Sequence, residues 1–195
     1  ATAITTVFLM APLTAWLLVA FFDLLRQRGL SSSDASGLTF LLAFSTPIFF
    51  RTTGLNHNMF VLYFSFAAFL LLWRRQGEEV VSRGRRLAAG LCCGLILATD
   101  YIGVVMLPVI YGYALLPRWR ETSFSTAFRE SLDLVAGSLP AVAFLLFSQW
   151  AMYGNPFLPG QYWMPEQNIY VNEGVRGFTL LDVELLLQNL FHPAF

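Results

Sequence analysis

Residues 87–116 read LAAGLCCGLILATDYIGVVMLPVIYGYALL, thirty residues with a single charge, Asp100. Whether they form one helix or two decides how the rest of the chain is threaded. One helix would run about 45 Å at the α-helical rise, against a hydrocarbon core of about 30 Å. Two helices turning at Asp100 would each be short, about 20 to 24 Å. Length leaves both open, and the arginines separate them. With a turn at Asp100, Arg26, Arg28, Arg74, Arg75, Arg83, Arg85, Arg86, Arg118, Arg120 and Arg129 fall on one side, and only Arg51 and Arg176 on the other. With one long helix the split weakens to eight against four. Arginine bias marks the cytoplasmic side of a membrane protein, so the hairpin is favoured. It also takes Asp100 away from the bilayer centre, where a carboxylate is expensive.

Composition supports a membrane reading. The chain has 195 residues, 56% hydrophobic and 12% charged, with mean hydropathy +0.60. Soluble domains carry about 25% charged residues. The apolar residues lie in long blocks, as in a polytopic membrane protein. Formal net charge is zero, so nothing points to nucleic acid as a partner. All basic residues are arginine. Cys92 and Cys93 are adjacent in an apolar run; a bridge between them would be strained, and they read as small buried hydrophobes. No charged region precedes the first apolar run and no cleavage site follows it, so no signal peptide is expected. The missing initial Met and the abrupt end at NLFHPAF read as a fragment lacking both ends.

Periodicity and breakers give the elements. Residues 3–25 form a span with Pro12 as a candidate kink. The loop RQRGLSSSDASG (26–37) has Gly29 as a stop and Ser33 or Asp34 as an N-cap. A second, short span covers 37–50 with Pro47 near its end; residues 51–57 turn; a third span covers 58–73. A polar loop follows over 74–86, then the two helices about Asp100. Residues 117–131 are polar and fit a short surface helix, residues 132–151 another span, and 153–180 a loop rich in Gly, Pro, aromatics and amides. The fold class is all-α: one transmembrane bundle of about six membrane helices with a short hairpin at Asp100, and no separate soluble domain.

This topology puts RTTGLNHN (51–58), Asp100 and the 153–180 loop on one face. Plain readings exist for each. Asn and Gly make turns, Asp100 can cap a helix starting at Tyr101, and the aromatics of YGNPFLPGQYWMPEQNIY (153–170) suit an interfacial belt. The same aromatics beside amides and Glu166 also suit sugar or peptide binding. The chain has no phosphate-cradling glycine loop, H-E-x-x-H or nucleophile elbow. His57 and His192 are too few and too separate for a metal site.

The ordered set FSTPIFFRTTGLNHNMFVLYF (44–64), LAAGLCCGLILATDYIGVVMLP (87–108), MYGNPFLPGQY (152–162) and LLQNLFHPAF (186–195) resembles the GT-C class of integral membrane glycosyltransferases, which includes enzymes similar to protein O-mannosyltransferases and lipid A aminoarabinose transferases. The resemblance implies a polyprenyl-phosphate sugar donor. Transfer is then to an acceptor on the extracytoplasmic face of the cell (inner) membrane, and the acceptor stays open. It implies a carboxylate general base in an outer loop upstream of Ala1, so no catalytic base is assigned within the chain, and in some members a divalent metal. Arg51 would meet phosphate with its planar fork of donors. His57 would hydrogen-bond or protonate the phosphate leaving group, and Asn56 and Asn58 would bind sugar hydroxyls. Asp100 and Tyr101 would support from the same side, and Tyr162, Trp163 and Glu166 would line the cleft. Two other readings stand beside it. One is a transporter or lipid flippase using Asp100 in a broken helix as an ion site, against which no internal repeat is found. The other is a non-catalytic membrane subunit with the outer loop as a docking surface.

Overall fold

The computed structural model describes residues 2–74 and 80–157, and among them every regular element is helical. The chain falls into two compact units, Ala1–Val142 and Ala143–Phe195. Among the described residues three helices are long and apolar enough to cross a membrane: Ala3–Gln27, Tyr101–Glu121 and Phe124–Tyr153. A fourth apolar helix, His57–Leu72, is shorter.

The first helix, α1 (Ala3–Gln27), contains a π turn over Thr6–Met10. The turn lies just before Pro12, whose missing N–H and bulky ring disturb the i−4 ladder, so the irregularity expected at Pro12 takes this form. Gly29, at φ 87°, closes the helix in the left-handed region. Helix α2 (Ser32–Phe44) is capped by Ser31, not by Ser33 or Asp34. Ser31 Oγ accepts the Asp34 N–H at 3.1 Å and donates to Asp34 Oδ2 at 2.6 Å, so Asp34 is the reciprocal partner three residues on. α2 stops at Phe44, short of the expected 50, because Pro47 cannot continue the ladder. One turn, α3 (Ile48–Arg51), follows.

Helix α4 (His57–Leu72) starts at an Asn56 cap, whose Oδ1 accepts the Asn58 N–H at 3.0 Å. Helix α5 (Arg83–Thr99) starts four residues before the apolar run, capped by Ser82. It stops at Thr99. Asp100 is extended (φ −156°, ψ 129°), and the chain restarts as a 3-10 turn, Tyr101–Val105, leading into α6 (Met106–Glu121). Asp100 Oδ1 accepts the Ile102 N–H at 3.0 Å, so residues 87–116 belong to two helices and Asp100 caps the second. The surface helix expected over 117–131 is not separate: α7 (Phe124–Tyr153) runs unbroken through Glu130, Asp133 and Pro140.

Within Ala1–Val142, Ala68, Leu72, Ala89, Cys93, Ile96, Ile110 and Leu134 form one buried cluster; Met10, Leu17, Ile48, Met59 and Tyr63 form another. The crossing of α5 and α7 is set by glycine. A Cβ on Gly90 would lie 2.1 Å from the Leu134 carbonyl oxygen, on Gly137 2.0 Å from that of Leu87, and on Gly94 2.6 Å from that of Ser138. Gly90 and Gly94 are four apart on α5, the spacing that lets helix backbones touch. In Ala143–Phe195, Gly154 ends α7 at φ 70°, giving its N–H to the Trp150 carbonyl at 2.8 Å.

Candidate functional site

The site grows from the segment between α3 and α4, which hydroxyls pin from behind. Thr6 Oγ1 donates to the Thr53 carbonyl at 2.8 Å. Thr14 Oγ1 shares hydrogen bonds with Thr52 Oγ1 at 2.8 Å and with the Tyr63 hydroxyl at 2.7 Å. The Tyr63 hydroxyl also reaches the Met10 carbonyl at 3.4 Å. Thr14 and Tyr63 are buried, so this network fixes the turn against α1 and α4 with its polar groups paired, as burial requires. Sequence reading missed it. The only signal was a threonine inside an otherwise apolar run.

On the open side, His57 Nε2 lies 3.3 Å from Asp100 Oδ2. Asp100 is only 14% exposed while His57 is 62% exposed. The carboxylate therefore has two contacts: Oδ1 caps the turn at Ile102 and Oδ2 faces the imidazole. The capping reading of Asp100 holds, and its other oxygen faces His57. His57 is the first residue of α4 and is anchored at one nitrogen. Its Nδ1 has no partner among the described residues. An imidazole held in this way can take or give a proton, or donate to an anion.

Asn56 uses Oδ1 for capping, which leaves its amide NH2 for other contacts. Arg51 ends α3, exposed, with no carboxylate partner among the described residues. Tyr101 opens the turn after Asp100. Thus His57 and Asp100 are brought into contact, Asn56 and Tyr101 are their chain neighbours, and Arg51 stands at the start of the same pinned segment. Tyr162, Trp163 and Glu166 lie outside the described residues. Among the described residues no three of His, Cys, Asp and Glu converge to hold a metal.

The arginine-rich end is built differently. Arg74 Nη1 donates to Glu121 Oε2 at 2.6 Å, and this pairing raises the already high Arg74 pKa further. Arg118 makes a forked contact to Glu130 at 3.0–3.2 Å. Arg83 and Arg86 share Asp133, at 3.2 and 2.8 Å. Arg28 lies 4.1 Å over the Trp73 ring. Arg85 Nε donates to the Leu71 carbonyl at 2.9 Å and Nη2 to that of Trp73, closing the C-terminus of α4. Sequence reading took these arginines only as topology markers, yet they also tie the helix ends together.

No family model matches the chain, and no curated protein and no solved structure matches it.

Proposed function

We propose that the chain is the membrane part of a GT-C-type glycosyltransferase. It moves a sugar from a polyprenyl-phosphate donor to an acceptor on the extracytoplasmic face. In this reading about six membrane helices, with a hairpin at Asp100, set the arginine-rich end in the cytoplasm and RTTGLNHN outside. One observation carries it: the 3.3 Å contact between His57 and Asp100, which joins two of the motif stretches on which the resemblance rests. Arg51 would bind the phosphate of the leaving group with a guanidinium fork. His57, oriented through Nε2 by Asp100, would present Nδ1 to the same oxygen and hand it a proton as the glycosidic bond breaks. The Asn56 amide would meet a sugar hydroxyl.

The full-length protein in proteoliposomes, given a polyprenyl-phosphate sugar, tests this. Transfer should be detectable and should fall by about a hundredfold or more in His57→Gln, in line with loss of one acid–base group. It should fall in Arg51→Gln with an unchanged melting temperature. Transfer that is indifferent to both substitutions would sink the reading, as would substrate movement across the vesicle without any glycosyl product.

A further inference from the structure

Only Thr122 and Ser123 separate α6 from α7. Thr122 closes α6 by giving both its N–H and its hydroxyl to the Arg118 carbonyl, at 3.0 and 2.8 Å. Ser123 opens α7, its Oγ accepting the Thr126 N–H at 3.3 Å. So short a link sets the last turn of one helix beside the first turn of the other, and three aromatic rings meet there. Trp119 meets Phe124 edge to face at 5.5 Å, and Phe124 stacks beside Phe128 at 6.1 Å. All three rings are half-exposed. The row is not an apolar island: exposed Leu116 and Leu132 continue it along α6 and α7.

The charges at this corner divide into two sets. Glu121 and Glu130 are taken: Arg74 donates to Glu121 at 2.6 Å and Arg118 to Glu130 at 3.0 Å. Arg120 and Arg129, the chain neighbours of Trp119 and Phe128, are exposed and have no carboxylate partner among the described residues. The carboxylates of the corner are thus neutralised by other arginines, and the two guanidinium groups left over lie beside the rings. Both flanking helices are long and apolar enough to cross a membrane, and a bilayer crossed by both would end at this corner. Trp and Arg suit that depth, with the ring at headgroup level and the charged tip reaching water.

We propose that the corner between α6 and α7 is an anchor for an anionic phospholipid surface, with the aromatic row seated at headgroup level and Arg120 and Arg129 meeting the negative headgroups. Two unpaired guanidinium groups supply an attraction to anionic lipid that a neutral lipid cannot return. A protein docking site is an apolar patch rimmed by polar residues, whereas the apolar surface here runs on from the corner along both helices, so lipid is the favoured partner. The proposal rests on both helices crossing a bilayer and is independent of sugar transfer.

The test is tryptophan quenching in vesicles that hold the full-length protein. Phosphatidylglycerol or phosphatidylcholine carries a nitroxide close to the headgroup, and the Trp119 signal is the difference between the parent and Trp119→Phe. Labelled phosphatidylglycerol should quench Trp119 more strongly than labelled phosphatidylcholine at equal mole fraction. Arg120→Gln and Arg129→Gln should each lower that preference about fivefold, and added salt should lower it too. Arg26→Gln, which removes an exposed arginine at the end of α1, should leave it unchanged. If neither lipid quenches Trp119, protein covers the corner and the proposal falls. Equal quenching by both lipids, an unchanged preference in the double variant Arg120→Gln/Arg129→Gln, or an equal loss with Arg26→Gln would each overturn it as well.

Discussion

The two ends of the Ala1–Val142 unit use polar residues in opposite ways. At one end the charges are joined: Arg74 to Glu121, Arg118 to Glu130, Arg83 and Arg86 to Asp133, with Arg85 closing a helix. At the other, neutral hydroxyls do the fastening from behind. The ionisable groups there are few, and Arg51 and His57 are exposed. The difference separates fastening from availability. A charge already engaged by a rigid partner is a poor choice for meeting a ligand, whereas a turn held by Thr6, Thr14 and Tyr63 can leave a guanidinium and an imidazole free. Among the described residues the carboxylate at that end, Asp100, is less exposed than the imidazole it contacts.

The sharpest way to break this contrast is to pull the fastened end apart. Gly137→Val would place side-chain atoms where the Leu87 carbonyl already lies 2.0 Å from a bare Cβ. The backbone cannot yield cheaply there, and a loss of at least about 3 kcal/mol is expected, read as thermal unfolding in detergent. Gly112→Val, with nothing within 4 Å of its Cβ, is the comparison and should change stability by under about 0.5 kcal/mol. If the two behave alike, the close crossing of α5 and α7 is not what holds the arginine end together.

A smaller effect is expected from Asp133→Asn, which leaves Arg86, 15% exposed, without its carboxylate. The pair is partly solvated, so about 1–2 kcal/mol should be lost, and the loss should shrink as salt screens the remaining arginines. The smallest should come from Tyr63→Phe at the other end. Thr14 keeps Thr52 as a partner, so only about 1 kcal/mol is expected. If sugar transfer is established, this variant should lower it out of proportion to the lost stability, because the turn carrying Arg51 would loosen. A Tyr63→Phe protein as active and as rigid as the parent would remove the argument that the hydroxyl network positions the turn.

Some of this was legible in the sequence. Arginine placement argued for a break at Asp100, and the helix does stop at Thr99, with the carboxylate capping the next turn as its type suggests. Spacing near Asn56 located the start of α4 within a residue. Other features needed partners that a linear reading does not show. The polar stretch 117–131, Glu130 included, read as a surface helix separate from the span over 132–151, yet α7 runs through both, with Glu130 and Asp133 neutralised by arginines of α6 and α5. The close approach at Gly90, Gly94 and Gly137 depends on two helices facing each other, and LAAGLCCGL alone does not name the other side. Neither could the sequence reveal that His57 and Asp100, 43 positions apart, share a contact.

The π turn at Thr6–Met10 acts as a phase shifter. Two residues eight apart on a regular α-helix point about 80° away from each other. A π turn absorbs one extra residue, so Thr6 and Thr14 behave as if seven apart and diverge by only about 20°. Both therefore address the same short turn, Thr6 through the Thr53 carbonyl and Thr14 through the Thr52 hydroxyl. Removing one residue from the π turn would leave Thr6 and Thr14 seven apart on an ordinary helix, still only about 20° apart, whereas straightening the turn with all its residues kept would rotate everything upstream by roughly a quarter of a revolution. In that straightened helix Thr14 would stay at its post while Thr6 swung out of reach. The first helix thus carries its alignment with the turn as a single-residue insertion that the π turn absorbs, so that the register of Thr6 depends on backbone winding and not on any side chain that touches the site.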